Sequence, residues 1–197
     1  MWPLLLATVI LLASTAPSLG SEAPFGLSWG MSIEQAQQGG LQGSVAVDNE
    51  DFTVFQALRL PSHPVDTESA VLVFGTVEGL QRVDWYSKRS PGDRTGSKAK
   101  DIYFQIRNRL IEKYGEPTRS DEGIPISYYN RFYECVETPG CGGYAVTWSR
   151  GDLSIILQIE GRGSHSEGWV YIDYRGPDWA SLLIRYSESA ERGNESF

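Results

Sequence analysis

Leu153-Ser154-Ile155-Ile156-Leu157-Gln158-Ile159-Glu160 holds the clearest pattern in the chain. Leu153, Ile155, Leu157 and Ile159 recur at every second position, which on an extended chain points them all one way. The spacing predicts a strand. Upstream, Arg150-Gly151-Asp152 is a turn, since Gly-Asp suits one. Before it, Tyr144, Val146 and Trp148 alternate in a second strand. Downstream, Gly161–Gly168 reads as a flexible loop and Trp169–Tyr174 as the last strand. The aromatic run Ile126–Glu134 is also read as a strand, because aromatic residues favour the pleated surface.

An earlier strand group lies in the first half. Thr53–Leu60 is extended and ended by Pro61 and Pro64. Ala70–Val77 is a continuous apolar run, as in a strand buried on both faces. Glu78-Gly79 turns the chain, and Leu80–Ser87 returns with Val83 and Trp85 on one face, a hairpin by sequence.

Three helices frame these strands. Ser32 and Gln35 fit a capping box, and Gly39-Gly40 stops the short helix they begin. Residues 102–114 form the strongest helix, with Asp101 as its N-cap candidate. Ile102, Tyr103, Ile106, Leu110 and Tyr114 share its apolar face. Gly115 and Pro117 end it. Pro177 opens a terminal helix at its first turn, running to about Ser189. Strands joined by tight turns argue for antiparallel sheet rather than parallel crossovers. The expected class is α+β, mainly antiparallel, in the order helix, strands, helix, strands, with a short C-terminal helix. The segments are 1–20 as a signal peptide, 21–190 as one α+β domain and 191–197 as a flexible tail. Two similar units, 25–88 and 100–175, are the alternative division.

The chain has 197 residues, of which 41% are apolar, 21% charged and 12% aromatic. That composition is too apolar for overall disorder. Net charge is −8, which argues against a broad nucleic-acid surface. Leu4–Leu12 is an apolar run followed by Ser18-Leu19-Gly20, the anatomy of a secretory signal peptide cleaved near Gly20. The run is shorter than the ~20 residues a spanning helix needs. A periplasmic or secreted protein is expected, with no stable membrane insertion after cleavage. Arginine outnumbers lysine, which hints at a GC-rich bacterial genome.

Two segments are familiar. Phe25-Gly26-Leu27-Ser28-Trp29-Gly30-Met31-Ser32 precedes the short helix, and Leu110-Ile111-Glu112-Lys113-Tyr114-Gly115-Glu116-Pro117 closes the long one. Both resemble segments of small exported bacterial proteins of unknown function. The order of elements is similar to beta-lactamase-inhibitor-protein-like folds and to small outer-membrane-assembly lipoproteins. The resemblance implies an exported α+β domain that binds another protein. It carries over no catalytic residue, and the lipoprotein cysteine near the cleavage site is missing here.

Cys135 and Cys141 are the only cysteines. Export makes a disulfide the expected pairing, clamping a hairpin at the facing ends of two strands. A metal pair or redox thiol is disfavoured: zinc wants four ligands, and only His63 and His165 could help. No cofactor and no metal are expected. Neither histidine shows triad context, and no Gly-x-Ser-x-Gly elbow is present. Gly92–Lys98 has the wrong spacing for a phosphate loop. Glu160 and Asp173, on neighbouring strands, are the carboxylates that could serve a glycosidase.

Two surfaces remain as binding candidates. In the aromatic run, alternation sends Tyr129, Arg131 and Tyr133 to one face and Tyr128 and Phe132 to the other; one face is core and one an interface, or both are covered. Tyr and Arg are the residues favoured at hot spots. The loop 88–100 is locally basic, with Lys88, Arg89, Arg94, Lys98 and Lys100 able to contact an anion. The expected function is a non-enzymatic exported protein that binds a protein or an envelope component. A carboxylate-dependent envelope hydrolase and a small-ligand carrier are the alternatives. An apolar cavity between helix 102–114 and the sheet would mark the carrier.

Overall fold

The computed structural model describes residues 22–194. The signal-peptide segment 1–20 and the last three residues of the expected tail lie outside the described residues. The fold is α+β with one eight-stranded antiparallel sheet in the order β1-β2-β3-β4-β8-β7-β6-β5. The strands are β1 (Gln42–Asp48), β2 (Phe52–Arg59), β3 (Thr67–Gly75), β4 (Gly79–Ser87), β5 (Arg119–Gly123), β6 (Gly143–Arg150), β7 (Leu153–Arg162) and β8 (Glu167–Arg175). Among the described residues four α-helices accompany them: α1 (Ile33–Gln38), α2 (Ser97–Tyr114), α3 (Phe132–Glu137) and α4 (Trp179–Asn194). Each meander runs inward from its own edge, and the two meet where β4 pairs with β8, from Arg82↔Arg175 to Tyr86↔Tyr171.

Strands dominate more than the sequence suggests: β5 is wholly polar apart from Gly123, and β1 offers only Val45 and Val47 as large apolar residues, both exposed. In β5 every residue is exposed, and in β1 only Gly43 is not. A strand paired on one side and solvated elsewhere needs no apolar alternation, and polar edges deter pairing with other chains. Inner strands follow the expected period. Leu80, Val83 and Trp85 of β4 and Val170, Ile172 and Tyr174 of β8 are buried in the core, with Ile155, Leu157 and Ile159 of β7 beside them. Tyr103 and Leu110 of α2 and Phe132 and Tyr133 of α3 close this core from above.

The stretch 126–134 is not a strand. Residues Ile126–Arg131 form a 3-10 helix and Phe132 opens α3. A short aromatic run has no period that separates a strand from a buried helical turn. Here Phe132, Tyr133 and Cys135 all point inward from one turn. Asp101 is likewise not the cap of α2, which starts at Ser97. Asp93 serves instead: its carboxylate accepts from the backbone amides of Lys98 at 3.0 Å and Ala99 at 3.3 Å. It thereby satisfies amides that the first turn leaves free. The capping box of α1 forms as read, with Ser32 and Gln35 bonded reciprocally. The terminal helix α4 starts at Trp179 and continues past Ser189 to Asn194.

Tyr133 fixes the helical layer to the sheet. Its ring lies across Gly161 and Gly168, which face each other in β7 and β8. Its hydroxyl donates to Asp93 at 2.9 Å. The other helix, α4, crosses the opposite face of the sheet near the β1–β2 and β3–β4 turns. Leu182 packs beside Gly75, and Arg185 bonds both carboxylate oxygens of Glu78 and the Asp51 side chain.

A methyl added at Gly168 would stand 1.9 Å from Cε1 of Tyr133. Gly168→Ala is therefore expected to cost about 2–3 kcal/mol, read as a lower midpoint in chemical denaturation. Gly143→Ala, whose added methyl meets nothing within 4 Å, is expected to leave the midpoint near wild type.

Candidate functional site: the helix-free face of the sheet

Helices α2 and α3 cover one face of the sheet, and α4 covers only one end of the other. Along the central seam the face away from α2 and α3 carries Arg82, Asp84 and Tyr86 from β4 and Trp169, Tyr171, Asp173 and Arg175 from β8, with Trp179 of α4 over the Arg82 guanidinium at 5.5 Å. Alternation puts them there: their neighbours Val83, Trp85, Val170, Ile172 and Tyr174 all point into the core.

A balanced charge cluster sits at the middle. Asp84 and Asp173 are direct cross-strand partners, as are Arg82 and Arg175. Like charges facing each other are unfavourable, so each carboxylate is held by a guanidinium. Arg82 contacts Asp84 Oδ1 through Nε at 3.2 Å and Nη2 at 3.0 Å, and its Nε lies 3.3 Å from Asp173 Oδ1. Arg175 donates to Asp173 Oδ2 through Nε at 2.8 Å, and its Nη2 is 2.6 Å from the same oxygen. Tyr171 donates its hydroxyl to Asp84 Oδ1 at 2.7 Å and accepts from Arg82 Nη2 at 3.1 Å. Both aspartates are buried, at 7% and 2% exposure.

Burial pushes the Asp84 carboxyl up, against the opposing pull of the Tyr171 hydroxyl and Arg82. The same burial, then the Asp84 carboxylate, pushes the Tyr171 phenol up. Burial alone would lower the Arg82 guanidinium, but Asp84 and Asp173 outweigh it and raise it.

Beyond the cluster, the face turns aromatic. The Tyr86 and Tyr171 rings lie 4.9 Å apart. Arg89 stacks over Trp169 at 5.5 Å and pairs with Glu167 at 3.3 Å. The Trp169 indole donates to Glu160 Oε2 at 2.9 Å, and Gln158 donates to Glu160 Oε1 at 2.8 Å. Trp169, Gln158 and Glu160 line a depression of about 740 Å3 whose opposite wall is the segment Thr138–Gly142. The Cys135–Cys141 disulfide is present and holds that wall. It ties α3 to the turn before β6, rather than clamping a hairpin between two strands.

The aromatic trio read from the sequence is not brought together. Tyr129 is 55% exposed. Arg131 lies over the Tyr128 ring and pairs with Glu134. Tyr133 is buried beneath α3, because residues 126–134 are helical and do not alternate. The basic residues also separate. Arg89 joins the helix-free face, while Lys100 packs over the Phe132 and Tyr144 rings on the helical side. Lys88, Arg94 and Lys98 are exposed. Glu160 faces Trp169, four residues before Asp173 on β8. That offset is about 13 Å of backbone along a strand.

The residues that sequence reasoning missed are Arg82, Asp84, Tyr171 and Arg175. A signal was present in the alternating polar positions of two otherwise apolar strands. Their meeting depends on β4 pairing with β8, which the sequence does not display. Among the described residues no group of three or more His, Cys, Asp or Glu is placed to hold a metal ion. No helix among them is long and apolar enough to cross a membrane. No protein-family model matches the chain, and no curated protein or solved structure matches it.

Tyr171→Phe removes the hydroxyl that opposes the upward push on Asp84. The loss is expected to be about 1.5–3 kcal/mol where Asp84 is a carboxylate. The Asp84 pKa then rises further in the variant, so the stability gap between wild type and variant widens with pH and narrows as Asp84 protonates. Denaturation midpoints at neutral and acidic pH read this directly. Reduction of the disulfide is expected to cost about 2 kcal/mol for so short a loop, seen as a lower melting temperature in dithiothreitol.

Proposed function

We propose that this chain is an exported protein, periplasmic or secreted, that binds another exported or envelope protein through the helix-free face. The observation that carries this reading is the central seam on the face away from α2 and α3. It presents Tyr86, Trp169, Tyr171 and Arg175 on paired strands, with Arg89 from the loop after β4 stacked on Trp169. Tyr, Trp and Arg are the residue types enriched at interface hot spots. Their side chains are held in place before binding, by ring contacts and by the cluster of aspartates. Such preorganisation lowers the ordering cost of association. The disulfide supports the exported location, since these bonds persist in oxidising compartments. An exported binder in the manner of the beta-lactamase-inhibitor-like proteins is consistent with a continuous antiparallel sheet that leaves one face accessible.

The test is capture of a stoichiometric partner from a bacterial envelope extract with the disulfide-bonded protein, followed by affinity measurement. Trp169→Ala is expected to weaken that complex by 2 kcal/mol or more, about 30-fold. Tyr129→Ala, on the helical side, is expected to leave it unchanged. Equal affinity for wild type and Trp169→Ala, with loss in Tyr129→Ala, would contradict this assignment of the surface.

A further inference from the structure

On the helical side of the same seam lies a cavity of about 560 Å3, within the range of small-molecule sites. Its floor is Trp85, Ile172 and Tyr174, from the core faces of β4 and β8. One wall is α2, whose Ile102, Ile106 and Leu110 follow each other at four-residue steps and line the interior. A second stripe on α2, Gln105, Arg109 and Lys113, runs one position behind and also lines the site. The helix therefore offers an apolar row and a polar, cationic row to a single space.

The opposite wall contains a strained residue. Phe25 has φ of 61°, a region that bulky side chains seldom enter. Such strain persists only where surrounding contacts impose it, and it clusters at ligand clamps and active sites. Here it holds the Phe25 ring 6.4 Å from Trp85 and edge-on to Tyr174 at 6.0 Å. The His63–Asp66 turn completes the lining.

The charges select among occupants. Lys113 is engaged by Glu22 at 3.2 Å. Arg109 is exposed and makes no ion pair among the described residues. Among the described residues Asp66 is the one carboxylate in the lining. An apolar interior beside a free guanidinium fits a chain with one anionic end.

We propose that this cavity binds a single-chain alkyl carboxylate, with the chain against Ile106, Trp85 and Ile172 and the carboxylate on Arg109. Charge-assisted bonds from arginine to a carboxylate are bidentate and strong. The site is independent of the helix-free face, because it opens on the other side of the sheet.

Calorimetric titration of the full disulfide-bonded chain with sodium decanoate and dodecanoate, below their micellar concentrations, tests it. One molecule is expected to bind per chain, and dodecanoate more tightly by roughly 4-fold for each added methylene. Dodecanol is expected to bind at least 10-fold more weakly than dodecanoate. Arg109→Gln, an exposed change, is expected to erase that preference while the melting temperature stays at the wild-type value. Ile106→Phe, which fills the cavity, is expected to abolish binding. If that variant fails to fold, the Arg109→Gln comparison alone decides. No binding at millimolar dodecanoate overturns the proposal. So does equal affinity for acid and alcohol, or a preference for dodecyltrimethylammonium.

Discussion

The hydrogen bond from Tyr133 to Asp93 ties α3 to the start of α2 on one face of the sheet. The Tyr133 ring can reach the sheet only because Gly161 and Gly168 oppose each other without side chains. An aromatic ring over paired glycines restores the packing they lack. The Tyr133 hydroxyl then meets Asp93, whose carboxylate also holds the first turn of α2. One tyrosine thus fastens α3 to the strands and, through Asp93, fixes where α2 begins. Both helices end on the same face, and the other face keeps only α4 at one end.

That placement gives the central strand pair two different environments. Trp85 and Ile172 face each other toward the helices, and Asp84 and Asp173 face each other on the open side. Burying two carboxylates is costly unless each is paired. Arg82 and Arg175 provide the pairing, and Tyr171 adds a donor. Such clusters contribute little net stability compared with well-packed apolar residues. In this protein the cluster instead fixes the positions of two arginines and a tyrosine that are half-buried on that face.

The inner architecture was legible because it follows simple periods. The alternation in 153–160, the hairpin at 70–87 and the amphipathic 102–114 all report burial on one side. The edge strands were not legible, since a strand solvated on its face and edge obeys no apolar rule. The aromatic run 126–134 reads as a strand but folds as helical turns, because β-propensity and a buried helical turn use the same residues. Asp93 was hidden for a different reason: it caps α2 from three residues before Gly96, outside the position where a cap is usually sought. The two cysteines were legible as a pair, but their structural context was not. The candidate site was the least legible part. Its residues come from strands 87 positions apart in the Tyr171–Asp84 bond, and only the pairing of the two meanders joins them.

Hydroxyl-radical footprinting of the full disulfide-bonded chain, alone and in its complex from envelope extract, tests the central claim most directly. It reports side-chain exposure residue by residue. The expected result is strong protection of Tyr86, Trp169 and Tyr171, with Tyr129 and Phe104 modified as in the free protein. Protection of Tyr129 and Phe104 with no change at Trp169 and Tyr171 would contradict the account, by placing recognition on the helical side.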